Sequence, residues 1–311
     1  MTTAPRPTRR RFLAASLAVA TAATLVACGS SDTGTAAPTR TVDHAMGRTK
    51  VPENPTRIVV IDSPHLDALV SLGIKPVGAS ESAAKAGFPG YLRDKLDGTE
   101  SVGLTTSPDL EAIAKLKPDL IIGSKVRHEK IYPQLSAIAP TVYSVDTGTN
   151  WKEQATITAL AVNRTDQMTT QLADLDARAA EVGKQVGAPG TSVSIVRFRA
   201  SGFRLYGPDT FSGSVLTSMG FTIPPKQWNE YSMIETSLEN FGEINGDSIF
   251  YTLGANAAPS AQTVTQRWGA LPAVAANRAH AVEDETWMVG IGVIGAGRII
   301  DDVQRVATPK A

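Results

Sequence analysis

One short pattern occurs twice, once in each half of the chain, and it restricts the possible folds more than any other feature. Leu110-Glu111-Ala112-Ile113-Ala114-Lys115-Leu116-Lys117-Pro118-Asp119-Leu120-Ile121-Ile122 and Leu238-Glu239-Asn240-Phe241-Gly242-Glu243-Ile244-Asn245-Gly246-Asp247-Ser248-Ile249-Phe250 both read L-E-x-apolar-x-x-apolar-x-x-D-x-I-apolar. A duplicated helix-into-strand pattern marks two related α/β lobes, and two copies are too few for a solenoid. Between the copies, Met168, Leu172, Leu175, Ala179, Val182 and Val186 recur in alternating steps of four and three. That spacing puts one apolar stripe on one face of a helix, with Asp174, Asp176, Arg178, Glu181 and Lys184 mostly elsewhere. Thr165 is expected to cap this helix and Gly187, followed by Pro189, to end it, giving a rod of roughly 30 Å, about one small domain's width.

On either side of the rod, short apolar runs alternate with amphipathic segments, as parallel strands do with their covering helices. In the first half the strands are expected at Arg57 to Asp62, Lys75 to Ser80, Asp119 to Ser124 and Thr141 to Val145. Helices fall after Ser63, which is read as a cap, at Pro108 to Lys117 and at Ile131 to Ile138. Asn150, with Glu153 three residues on, reads as the cap of a helix from Trp151 to Val162. In the second half the strands are Ser192 to Phe198, Phe203 to Tyr206, Asp247 to Leu253 and Ala279 to Glu283, with helices at Gly213 to Met219 and from about Ala296 to Val306.

The N-terminus reads as targeting sequence. Thr8-Arg9-Arg10-Arg11-Phe12-Leu13 has the pattern of a twin-arginine export signal, and the apolar run from Phe12 to Ala27 is short for a membrane span. It stops at Leu25-Val26-Ala27-Cys28-Gly29, which resembles the lipobox of bacterial lipoproteins, where the cysteine is lipidated and becomes residue one. Cys28 is the only cysteine, so no disulfide forms within the chain. The stretch from Gly29 to Arg40 is too polar to pack and suits a flexible tether. The expected organisation is a signal peptide over 1–27, a tether over 28–41, an N-terminal lobe over 42–149, a helical connector over 150–188 and a C-terminal lobe over 189–311. Lys+Arg and Asp+Glu balance at 30 each, with no basic run in the body, which argues against a nucleic-acid partner or a polybasic membrane patch.

The order and spacing of several segments resemble the substrate-binding lipoproteins of iron-siderophore ABC transporters, relatives of ferric-citrate-, ferric-hydroxamate- and cobalamin-binding proteins. These segments are Asp43 to Gly47, Val51-Pro52-Glu53-Asn54-Pro55-Thr56-Arg57-Ile58-Val59, Asp67-Ala68-Leu69, Leu72 to Gly78, Val102-Gly103, Leu116 to Gly123 and Ala139 to Val142. In the second half Phe211 to Gly220, Trp268 to Leu271 and Asn277-Arg278 follow in family order. The resemblance implies two Rossmann-like lobes with parallel-type sheets bridged by one long rigid helix, the helical-backbone class of periplasmic-binding-protein-like folds. It also implies a ferric siderophore, or else haem or cobalamin, held in the cleft, delivery to an ABC permease dimer, a lipid anchor at the outer face of the cytoplasmic membrane, and a monomer with neither catalysis nor a resident cofactor. In relatives a glutamate near the repeat's start in each lobe pairs with permease arginines, and Glu111 and Glu239 match those positions.

A cleft in open α/β sheets is built by the loops after the strands' C-terminal ends. That rule selects Ser63, His65, Ser80, Lys125 and Arg127 in the first lobe, and Arg197, Arg199, Trp228, Tyr231 and Trp287 in the second. Guanidinium donors suit the anionic oxygen rim of a ferric siderophore and aromatic faces suit its apolar backbone. Gly290-Ile291-Gly292-Val293-Ile294-Gly295 spells the dinucleotide fingerprint, which raises an oxidoreductase as the rival of another class. About 16 residues follow Gly295, with no acid beyond Asp302, too little for the crossover and ribose-binding acid that the fingerprint requires. Of four histidines only His65 and His128 fall in loops that could share a cleft, short of a metal site.

Overall fold

The computed structural model describes residues 38–82 and 87–307. The export signal, Cys28 and nearly all of the tether lie outside the described residues. The tether's expected last residues belong instead to β1 (Thr39–His44), which pairs antiparallel with β2 (Gly47–Pro52).

The first lobe is built on β3 (Ile58–Val60), β4 (Gly78–Glu81), β5 (Glu100–Leu104), β6 (Ser107–Pro108), β7 (Leu120–Ser124) and β8 (Thr141–Ser144). Their order across the sheet is β6-β5-β4-β3-β7-β8, parallel except where β5 meets β6. Side chains alternate across it: Ile58, Val60, Leu120 and Ile122 enter one core, Val59, Ile61 and Ile121 the other. Burying each such residue contributes roughly 1.5–3 kcal/mol. Helices α1 (Ser63–Ser71), α2 (Leu110–Lys115), α3 (Lys125–His128) and α4 (Tyr132–Ile138) cover the faces.

The connector is α5 (Trp151–Ala161) and α6 (Thr165–Gln185). The stripe on α6 is shared out along its length: Met168 enters a first-lobe core, Ala179 and Val182 enter a second-lobe core, and Leu172 packs against both. The expected caps differ. Asp62, not Ser63, caps α1 by accepting from the Ser63 N–H, because its extended backbone aims the carboxylate there. Neither Asn150 nor Thr165 makes a capping bond: Thr165 is already the first helical residue of α6, after Arg164.

In the second lobe β9 (Val193–Phe198), β10 (Phe203–Tyr206), β11 (Met233–Thr236), β12 (Ser248–Leu253) and β13 (Ala279–Ala281) take the order β11-β10-β9-β12-β13. Here β9, β12 and β13 are parallel, while β10 runs antiparallel to both its neighbours. The covering helices are α7 (Phe211–Ser218), α8 (Ala258–Thr265), α9 (Pro272–Ala275) and α10 (Val293–Ala307). Helix α10 starts earlier than expected and is a second bridge rather than a purely second-lobe element. Its Val293 packs against both a first-lobe and a second-lobe core.

The repeat's aspartate does one job in both lobes. Asp119 accepts from the N–H groups of Thr56 and Arg57 at 2.8 and 2.9 Å and from the Thr56 hydroxyl at 3.0 Å. Asp247 accepts from the Ser192 N–H at 3.0 Å and its hydroxyl at 2.7 Å. Each carboxylate thus clamps the backbone just before its lobe's first strand, satisfying donors that the sheet leaves unpaired.

Candidate ligand-binding cleft

A cavity of about 220 Å³ is lined by Arg127 and Thr147 to Thr149 from the first lobe and by Arg197, Arg204, Tyr206, Phe211, Tyr231 and Trp287, among others, from the second. Arg127, Thr147, Met288 and Ile291 also line an adjacent cavity of about 200 Å³ with Asp62 and Ser63, while Arg197 and Arg204 line a third of about 500 Å³ with Arg199. These shared walls make one groove. Each arginine is held by a carboxylate. The Arg127 Nε lies 3.3 Å from the buried Asp62, whose other partners are the Ser124 hydroxyl and the Ser63 N–H. Arg197 bonds Asp284 at 2.6 Å, and the Thr252 hydroxyl holds the other Asp284 oxygen at 2.7 Å. Arg199 and Arg204 both bond Glu235.

The second-lobe arginines meet because β10 is antiparallel to β9, which sets Arg204 directly across from Arg197. Burial works against the charge on Arg197, but bonding to Asp284 and contact with Tyr206 outweigh it and raise its pKa. Arg204 is raised likewise, burial being outweighed by Glu235 and Tyr206. Both therefore stay cationic. Four arginines face three carboxylates here, so the groove carries formal positive charge beside aromatic faces. Three buried polar atoms on the wall of the 220 Å³ cavity, Arg197 Nε, Thr147 Oγ1 and Ser212 Oγ, have no partner within the chain. Such atoms are costly to bury unpaired and are donors or acceptors suited to a polar ligand. The groove can hold an anionic, oxygen-rich molecule with apolar parts. Among the described residues no His, Cys, Asp and Glu cluster could hold a metal ion.

Residues 58–285 match the family described as periplasmic binding protein. The chain belongs to that family. The probable siderophore-binding lipoprotein YfiY of Bacillus subtilis (strain 168) is 40% identical over 301 residues, 90% of this chain and 93% of the relative. The Fe(3+) dicitrate-binding periplasmic protein FecB of Escherichia coli (strain K12) is 30% identical over 276 residues, 86% of this chain and 89% of the relative. Among solved structures, Staphylococcus aureus SirA complexed with staphyloferrin B aligns with a TM-score of 0.76 at 32% identity, over 86% of this chain and 97% of that one. The two-lobed α/β fold of this periplasmic binding protein is the one read from the sequence.

Of the residues expected at the cleft, Ser63, Arg127, Arg197, Arg199, Tyr231 and Trp287 line the groove. Four others do not. His65, on the first turn of α1, is fully buried, with Nδ1 bonded to Thr158 and Nε2 to Ser144, and burial lowers its pKa to about 4. Ser80 is buried against the Thr105 hydroxyl, Lys125 pairs with Glu129 on the surface, and Trp228 packs behind Gly207 on the far core of the second lobe. The other loop histidine, His128, is buried too, with Nε2 on the Thr105 carbonyl. Trp287 is a floor residue rather than a loop ring, stacked on Phe250 and donating to Asp302 at 3.0 Å. Arg204 and Tyr206 were not anticipated. Their strand was visible as an apolar–polar run, but its antiparallel pairing with β9 was not.

The glycine run does open a helix, and a carboxyl group does sit at its N-terminus. It belongs to this protein's own Asp67, on α1, which accepts from the Ile294 N–H at 2.9 Å, the Gly295 N–H at 3.0 Å and the Tyr91 hydroxyl at 3.0 Å. A Cβ on Gly292 would overlap the Asp67 carboxyl group, and one on Gly295 would overlap the Gly290 carbonyl. The glycines serve close approach of a carboxylate where a fingerprint would place phosphate, so the site is already filled.

Proposed function

We propose that this protein is an exported, lipid-anchored receptor that captures a ferric siderophore in the groove and hands it to an ABC permease for iron uptake. The observation that carries the reading is the 220 Å³ cavity between the lobes, where Arg127, Arg197 and Arg204 converge beside Tyr206, Phe211 and Tyr231. Guanidinium forks match the anionic oxygens around ferric iron, and aromatic faces cover the ligand's carbon frame. The relatives' names support the same ligand class: a probable siderophore-binding lipoprotein and a ferric dicitrate-binding protein. The ferric complex is cargo, and the receptor works as a monomer with no resident cofactor.

Cys28 carries the anchor and the chain from Gly29 to the first strand tethers the lobes to the outer face of the membrane. Glu111, exposed in the first turn of α2, and Glu239, exposed in the corresponding turn of the second lobe, dock one lobe each on a two-fold permease. Glu239 is kept charged by the Ser237 hydroxyl and its own N–H, which lower its pKa.

The test is a tryptophan-fluorescence titration of the purified mature protein with ferric citrate, a ferric hydroxamate, haem and cobalamin. Saturable quenching by a ferric siderophore complex is expected, since Trp287 floors the cavity. Binding of haem or cobalamin alone would refute the reading. Cys28→Ala should leave the protein uncleaved or release it into the medium in cell fractionation, and continued membrane retention of a cleaved product would refute the anchor.

A further inference from the structure

Glu235 stands on β11, the outermost strand of the second-lobe sheet, directly across from Arg204, which in turn faces Arg197. A single oxygen, Oε1, accepts from two guanidinium groups at once: from Arg199 Nη1 at 2.7 Å and from Arg204 Nε at 3.0 Å, with Arg204 Nη2 on the same atom. The neighbouring pair is built differently. Asp284 is about three-quarters buried beside Arg197 and is tied down by Thr252, so it cannot leave without stranding a charge. The Glu235 side chain is 61% exposed and can swing into water. Its arginines, however, line the groove, Arg204 on two of the three cavities and Arg199 on one.

One carboxylate oxygen bridging two guanidinium groups is the arrangement that a ligand carboxylate would itself adopt there. We propose that Glu235 is a resident counter-ion which the carboxylates of a ferric carboxylate-type siderophore displace from Arg199 and Arg204, so that Glu235 sets the anionic charge a ligand must bring. This rests on the siderophore-receptor reading and narrows it to a ligand chemistry. A carboxylate replaces the Glu235 bonds like for like and releases the side chain to solvent. A neutral ferric hydroxamate brings weaker acceptors and leaves the clasp closed. Because the Glu235 end of both ion pairs is exposed to solvent, removing the clasp should tighten binding of an anionic ligand by on the order of three- to tenfold.

The experiment compares wild type, Glu235→Gln and Glu235→Gln with Arg204→Gln, titrated by fluorescence with ferric citrate and with a neutral ferric trihydroxamate at low and high salt. The inference expects Glu235→Gln to bind ferric citrate several-fold more tightly, most at low salt, to leave trihydroxamate affinity within about twofold, and to lose its gain in the double variant. Equal or weaker ferric citrate binding by Glu235→Gln, or an equal gain for both ligands, overturns the counter-ion role while wild-type binding keeps the receptor reading. Failure of wild type to bind any ferric complex overturns the receptor reading itself.

Discussion

The two lobes share a plan at one end and differ at the other. At the end where each first strand begins, Asp119 and Asp247 perform the same clamp on Thr56-Arg57 and on Ser192. At the cleft end the first lobe, an almost wholly parallel sheet, presents a single guanidinium, Arg127 on Asp62. The second lobe sets antiparallel β10 between β9 and the edge strand β11 and thereby gathers Arg197, Arg199 and Arg204. The duplicated pattern therefore marks what holds a lobe together, and the chemistry lies where the second copy departs from it. The repeat's opening helix departs as well: in the first lobe Asp109 caps a regular α2, whereas Leu238–Glu243 is a kinked 3₁₀ turn without a side-chain cap.

The largest effect should come from breaking the joint between the lobes. Asp67→Ala leaves the buried N–H groups of Ile294 and Gly295 and the Tyr91 hydroxyl without their acceptor, and should destabilise the protein by on the order of 3 kcal/mol in urea unfolding. A loss below about 1 kcal/mol would mean that α10 does not need the first lobe. The same residue gives a pH signature. Burial raises the Asp67 pKa from 3.8 to about 7, so the native state holds a proton that the unfolded chain releases. Its contribution is therefore full below pH 3.8 and is lost as pH rises toward about 7. Asp67→Asn should flatten the fall in melting temperature across that window relative to wild type.

Ligand affinity should fall next, and unequally between the lobes. Arg197→Ala or Arg204→Ala removes a charged donor from the second-lobe wall and should weaken ferric siderophore binding about ten- to a hundredfold in fluorescence titration, with far-UV circular dichroism unchanged. Arg127→Ala should cost less, because its guanidinium is partly exposed and the first lobe otherwise offers hydroxyls. A larger loss from Arg127 than from Arg204 would reverse the assignment of the anionic end of the ligand to the second lobe.

The clamps should differ modestly. Asp119→Ala removes an acceptor for three donors and should cost about 1–2 kcal/mol, whereas Asp247→Ala, on the surface with Ser192 alone, should lower the melting temperature less. The Ser192 N–H and hydroxyl lower the Asp247 pKa, so its contribution is present at neutral pH and is lost on acidification through that lowered value, opposite in sign to Asp67. The smallest effect in vitro belongs to Glu111→Ala with Glu239→Ala. Siderophore affinity and melting should be unchanged while uptake by cells is abolished, and a parallel loss of binding would place these residues in the ligand site instead.

The sequence alone was enough for the lobes, the rod and most of the strands, because those rest on periodicity and on residues close in the chain. The stripe of Met168, Leu172, Ala179 and Val182 predicts a buried face whatever lies opposite, and an apolar run such as Leu120 to Gly123 predicts a central strand for the same reason. The rule that clefts form at the C-terminal ends of strands also picked out Arg127, Arg197 and Tyr231, which line the 220 Å³ cavity. What it could not decide was which way a side chain points once there. His65 lies at a strand's C-terminal end as expected, yet α1 turns it inward to Thr158 and Ser144. Arg204 faces Arg197 only because β10 pairs antiparallel with β9, a choice made by packing and not by the residues of either strand. Asp67 and Gly295 are 228 positions apart, and nothing local in either says that a carboxylate on one helix will satisfy the N–H groups opening another. Local patterns fix which residues must be buried or exposed, since hydrophobic burial is indifferent to the partner. Which polar groups meet depends on directional bonds between distant segments, and only the tertiary fold brings those together.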